Sequence, residues 1–345
     1  MQENQNIDLE LKISPSPHIS KHLSTTSVML DVIIALVPAI IAAGIFFRIQ
    51  AVVLIGTCVI SCVISEWLCN VIRKKPNSLG DLSAVVTGII LAFSLPPHFP
   101  YWACIIGSVF AIVIGKMVFG GLGANIFNPA MAGRCFLTAC FGAFITTWTV
   151  PATIDTVMPI MGQGQTVTQA ITQATPLAIS KEAIKAKGEE ENSKAQSVNS
   201  MFKSMLIGST GGCLGETSSI ALLIGGVYML LRKTITWIIP VAMLMSAFVF
   251  GSIGWLIDSQ AYVQPWIHIA GGGMLIGALF IATDPVTAPL TKKGMWIFGI
   301  GVGSLTMLIR MVGEYPEGVM FAILLMNSVT PLIDRFTKLT PAGGK

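Results

Sequence analysis

Apolar runs recur along almost the whole chain at the length of a bilayer crossing, and that constrains the fold more than any motif. A helix spanning a hydrocarbon core of about 30 Å needs roughly 20 apolar residues. Ten segments meet or approach that length: 28–47, 51–72, 82–95, 101–119, 128–148, 217–231, 235–257, 266–282, 295–313 and 317–336. The third, sixth and eighth are short. Composition agrees, since 11% of the 345 residues are charged, against about 25% in a soluble domain. The expected class is an all-α polytopic membrane protein. The polar amino-terminal stretch has no apolar run before a small-residue cleavage site, so a removed signal peptide is not expected.

Lysine and arginine in short loops set the orientation. Arg73, Lys74 and Lys75 follow the second segment, Arg232 and Lys233 the sixth, Lys292 and Lys293 the eighth, and Arg335 and Lys338 the tenth. The alternate loops 96–100 and 258–265 hold no basic residue. Both termini are therefore expected in the cytoplasm and the long 150–216 loop outside it. That divides the chain into a cytoplasmic segment 1–27, a membrane repeat 28–149, the extracytoplasmic loop 150–216, a second repeat 217–336 and a cytoplasmic tail 337–345.

Two five-span halves of opposite orientation form an inverted repeat. The third span of each half is short and runs into proline: Thr87 to Pro97 in one, Leu275 to Pro285 in the other. Paired, Gly/Pro-interrupted segments at matching positions point to broken helices near the midplane, where irregular backbone survives only beside a cavity or buried in protein. Two short tilted helices capped by proline are the alternative.

Among ionisable residues in or beside the spans, Asp284 lies at such an interruption, and with Arg134 it is a candidate for an ion path; Asp284 is equally suited to capping backbone groups. Asp31, Arg310 and Glu314 lie near span ends and are read as anchors. Glu66 and Lys116 also fall within spans. Seven cysteines, six of them in apolar runs, form no CxxC pair and read as small buried side chains. His18, His22, His98 and His268 do not cluster. A redox role would need an organic cofactor.

The 150–216 loop is rich in Thr, Gln, Gly and Ser, with a mixed-charge run over 181–194 that reads as a solvated face. Loops this long are usually functional or disordered. It ends in a glycine-rich stretch, 208–218, leading into the sixth span. Gly211, Gly212 and Gly215 permit tight turns, and Thr217 or Ser218 can cap the following helix. Together they form a candidate phosphate cradle.

The loop also contains Thr172-Gln173-Ala174-Thr175, running into Pro176-Leu177. This stretch resembles the flavin-attachment site of a family that includes the D subunit of the Rnf complex and the B subunit of the sodium-translocating NADH:quinone reductase. There the pattern is approximately Asp-x-x-Ser/Thr-Gly-Ala-Thr, and the final threonine carries FMN through a phosphoester. Thr175 holds the final position, with Ala174 before it and Thr172 at the Ser/Thr position; Gln169 and Gln173 stand where Asp and Gly are frequent. Ser14-Pro15-Ser16-Pro17-His18, the block from Gly123 to Arg134, the 208–218 stretch and the block from Ala282 to Pro289 resemble further family blocks in the same order.

The resemblance implies a urea-transporter-like fold of two inverted five-helix repeats in the cytoplasmic membrane of a bacterium. It implies an electron-transfer subunit of a complex that pumps Na+ or H+ while moving electrons between ferredoxin and NAD+. Covalent FMN on Thr175, a noncovalent riboflavin, a flavin transferase for maturation, and iron–sulfur and flavin subunits as partners come with it. The chain has no dinucleotide fingerprint or iron–sulfur cysteine pattern, which leaves NAD and ferredoxin to those partners. Membrane lipid is an expected contact and nucleic acid is not. A channel or carrier for a small neutral solute stays open as the alternative, although such a protein has no need of the Thr175 block.

Overall fold

A computed structural model describes residues 24–148, 174–185, 196–208, 210–313 and 315–338. All regular structure among them is helical. Among the described residues, four helices are long and apolar enough to cross a membrane: α1 (Thr25–Ile72), α8 (Ile238–Ile257), α11 (Lys292–Met311) and α12 (Val319–Phe336). Shorter apolar helices are α2 (Ser83–Phe93), α3 (Tyr101–Ile112, continued by a π-turn Val113–Met117), α4 (Pro129–Ile145) and α7 (Ser219–Leu231). Shorter helices in the long loop include α5 (Pro176–Lys185) and α6 (Phe202–Ile207). Between α8 and α11 stand α9 (Pro265–Ala270) and α10 (Met274–Ile276), the latter running into a π-turn Gly277–Ile281.

The 48 residues of α1 are two helices joined at Arg48, whose φ of 54° and ψ of −137° break the run. Thr26 Oγ1 donates to Gly80 O at 3.1 Å, so the start of α1 lies beside the chain just past its end. The first two expected spans are thus a hairpin with almost no loop. Elsewhere the caps follow sequence. Asn128 Oδ1 accepts from the N–H groups of Ala130 and Met131 at 3.1 and 3.3 Å, with Pro129 opening α4.

Helix α2, at 11 residues, is about 16 Å long, half the hydrocarbon thickness. The segment expected to match it is interrupted: α9 stops at Gly271, Gly272 takes a φ of +64°, and the chain restarts as α10. One short segment is therefore continuous and the other broken. Both are buried along nearly their whole length.

Close packing runs through small residues. A side chain on Gly225 of α7 would strike Ala35 O of α1, and one on Gly303 of α11 would strike Ser246 and Met243 of α8. Such contacts let helices approach where lipid supplies no hydrophobic drive. Large apolar side chains point outward instead, among them Ile60, Ile64, Val227 and Leu256.

The bundle has two distinct ends. One carries the four basic clusters: Arg73 Nη1 donates to Met117 O at 2.5 Å, Arg232 pairs with Asp31 at 3.2 Å, and Thr291 and Thr337 hydroxyls meet at 2.7 Å beside Lys292 and Lys338. The other carries α5, the glycine-rich stretch and residues 313–317. There Leu214 N–H donates to Leu95 O at 3.1 Å, and Lys181 Nζ donates to Gly313 O and to Tyr315 O.

Candidate functional site

Thr175 opens α5. Its Oγ1 accepts the Ala178 N–H at 3.1 Å, and its carbonyl accepts the Ile179 N–H at 3.0 Å, the geometry of a helix N-cap. The residue is 5% exposed. Ala174 beside it is exposed, and Thr172 lies outside the described residues. Lys181 anchors the helix on the 313–315 backbone, and Leu177 sits against Gly271 and Gly272, at the break between α9 and α10. The candidate attachment hydroxyl is therefore fixed over the broken segment rather than free in a loop.

Beneath α5 lies a cavity of about 40 Å³ lined by Phe93 of α2 and the Ser94 that follows it, Arg134 of α4, Cys213, Glu216, Ile276 of α10 and Glu317. Arg134 is 7% exposed; its Nη2 reaches Cys213 Sγ at 3.8 Å, and its Nη1 has no partner. Cys213 Sγ donates to Ser94 O at 3.1 Å. Burial pushes this thiol well above its ordinary range. Glu317 is held by Arg310 at 3.2 Å and by the Gly273 N–H at 2.8 Å. Arg310 also donates to the carbonyls of His268 at 2.6 Å and Gly271 at 3.1 Å, and it is only 3% exposed. Its reading as a snorkelling anchor is corrected: the guanidinium turns inward because the α9–α10 break leaves carbonyls that need donors. Glu314, read the same way, lies outside the described residues, and Asp31 is buried among Tyr228, Arg232 and Thr234.

The glycine-rich stretch expected as a phosphate cradle is closely packed. Space above Gly212 is taken by Glu216, whose Oε2 would lie 2.5 Å from an added Cβ, and Gly215 packs against Phe93 O and Ile276. Gly211 is buried. The cap of α7 is Ser218, which accepts from Ala221 N–H at 3.3 Å, while the Thr217 hydroxyl donates to Leu214 O at 2.5 Å. The stretch seats α7 against α2 and α10, with the Glu216 side chain lying over Gly212.

At the basic end a second cavity, about 60 Å³, is lined by Met29, Ser83, Thr87, Lys116, Asn125, Asn128, Thr234, Phe280 and Asp284 among others. Asp284 Oδ1 accepts the Val286 N–H at 3.1 Å, and Oδ2 meets the Thr287 hydroxyl at 3.3 Å and the Asn128 amide at 3.4 Å. It thus caps the turn after the π-turn and faces the cavity as well. Lys116 donates to both oxygens of Glu66 at 2.9 and 2.8 Å and to Ser83 Oγ at 2.5 Å. Asn125 Oδ1 is buried without a partner.

Asp284 and Arg134 therefore line separate cavities. The basic-end cavity meets α2 at Val86, Thr87 and Ile90, and the other meets it at Phe93, toward its far end. Sequence reasoning marked Glu66 and Lys116 without joining them, and it missed Glu216, Glu317 and Asn125. The signal for Asn125 was its place in the block from Gly123 to Arg134.

Comparison with known proteins matches residues 12–343 to the family described as NQR2, RnfD, RnfE. The D subunit of a Na(+)-translocating ferredoxin:NAD(+) oxidoreductase complex from Acetobacterium woodii is 43% identical over 331 residues, covering 96% of this chain and 95% of the relative. The D subunit of a proton-translocating ferredoxin:NAD(+) oxidoreductase complex from Clostridium ljungdahlii is 41% identical over 330 residues, covering 94% of each. The D subunit of an ion-translocating oxidoreductase complex from Cronobacter sakazakii is 37% identical over 347 residues, covering 95% of this chain and 97% of the relative.

Proposed function

Because the chain belongs to the NQR2, RnfD, RnfE family, we propose that it is a membrane electron-transfer subunit of an ion-translocating ferredoxin:NAD+ oxidoreductase, with FMN joined to Thr175. The observation that carries the attachment is the Thr175 N-cap. A phosphoester oxygen there would stand at the positive end of the ten-residue α5, where a helix terminus favours an anion. Thr172 and Ala174 complete the recognition stretch for a flavin transferase. When bound, the ring carries reducing equivalents, and the protein's share is to hold it above the α9–α10 break through Leu177 and Lys181.

For a noncovalent riboflavin, the basic-end cavity has the suitable lining. It is mostly apolar with a few convergent polar groups, and Asn125 Oδ1 waits for a donor. Ring-sized occupancy requires that cavity to widen from about 60 Å³, with Phe280 and Met29 moving aside. Ten spans in two inverted five-helix repeats, the basic end in the cytoplasm of a bacterium and α5 outside, complete the reading. The other Rnf-type subunits supply the NAD and ferredoxin sites. On the ion path, Asp284 and Arg134 serve opposite halves rather than one continuous row.

In-gel ultraviolet fluorescence after denaturing electrophoresis tests the attachment. Protein made with the flavin transferase is expected to fluoresce near its mass of 36.7 kDa, and Thr175→Ala to be dark. An unmodified Thr175 peptide from the native complex overturns the reading and leaves the solute carrier.

A further inference from the structure

Two carboxylates share the cavity under α5, and their environments differ. Glu317 is matched by Arg310 and by a backbone N–H. Glu216 belongs to none of the ion pairs among the described residues. Across the same cavity, Arg134 has a buried Nη1 with no partner. A space of about 40 Å³ holds roughly three waters, enough to bridge a carboxylate and a guanidinium. The Glu317 side chain, which meets Gly272 together with Leu177 of α5, is 27% exposed and so reaches solvent. The cavity floor is apolar: Phe93, Ile276 and Ile281.

We propose that this cavity is a proton-exchange site, in which Glu216 gains and releases a proton with the solution on the α5 side and Arg134 compensates the ionised form. The charged and titratable groups facing Glu216 are Arg134 from α4, Cys213 from its own loop, Arg310 from α11 and Glu317 ahead of α12. Glu216 keeps part of its surface exposed, yet desolvation of the carboxyl, then the charge of Glu317, holds it up at about 8, while Cys213 and the two arginines act the other way. The neutral acid is thus the resting form at neutral pH, and loss of its proton calls on the vacant Arg134 donor. Only a proton moves, between the carboxyl oxygen and cavity water, and no other bond changes. The site stands apart from flavin attachment at Thr175, so either can fail alone.

Infrared spectroscopy of the full-length chain in detergent tests this. A carboxylic-acid C=O band is expected to persist at neutral pH, to bleach with a midpoint near 8 and to be absent in Glu216→Gln. Removing the neighbouring charge in Glu317→Gln is expected to lower the midpoint by about one to two units. Arg134→Gln is expected to raise it. In vesicles with the chain uniformly oriented, a pH jump on the α5 side alone should bleach the band. An unchanged band in Glu216→Gln, ionisation in the ordinary range near 4–5, no shift in Glu317→Gln, or a response only from the opposite side would each overturn the proposal.

Discussion

Lys116→Met probes the most deeply buried charge pair of the fold. Lys116 and Glu66 side chains are 2% and 0% exposed, and their closest atoms are 2.8 Å apart. Ser78 Oγ donates to Glu66 at 2.5 Å and accepts from Asn70 at 2.9 Å, so the network ties α1, α2, α3 and the 78–81 turn together. Methionine nearly preserves lysine's volume, so little cavity forms and the main loss is the charge partner. Removing one member of a buried pair costs about 3–5 kcal/mol, because the remaining charge is stranded. That equals about a hundredfold to a few thousandfold in the unfolding equilibrium. Adding Glu66→Gln removes the stranded charge and should recover more than half the loss. The assay is denaturant titration in micelles, followed by fluorescence of the seven tryptophans. A double variant as unstable as Lys116→Met alone would refute the reasoning, since the loss would then come from packing.

Gly225→Ala should destabilise by about 1–3 kcal/mol, because its new methyl meets Ala35 O, whereas Gly56→Ala, with nothing within 4 Å, should be close to neutral in the same titration. Lys181→Met should raise hydrogen exchange across 176–185 without altering α11, since it removes the tie to Gly313 and Tyr315. For Glu216 the carboxyl is raised in the folded state, so it costs no stability below the ordinary carboxylate range and costs progressively more up to about 8. The stability of Glu216→Gln relative to the parent should therefore rise over that window and level off above it; a flat difference would contradict the assignment.

Much of this architecture was legible because helical boundaries are local. The expected segments 82–95, 128–148 and 295–313 differ from α2, α4 and α11 by a few residues at each end. Hydropathy and caps act over one or two turns, and both are written in neighbouring residues. Partners are not. Glu66 and Lys116 lie 50 positions apart, and Arg134 and Cys213 lie 79 apart, distances at which periodicity carries no information. Arg310 misleads for the same reason: nearness to a span end suggests water, whereas the carbonyls of the α9–α10 break claim it. Thr175 was found through resemblance, and its N-cap role follows from Pro176, which suits the first helical position.

The two cavities come within a turn of each other along α2, where Ile90 lines one and Phe93 the other. Leu91, Phe93, Ala278 and Leu279 offer no oxygen to a hydrated ion, and each is at most 5% exposed. A cation crossing there would have to shed its water with nothing to replace it. The stretch where the cavities come nearest is therefore the hardest one for a charged passenger to cross.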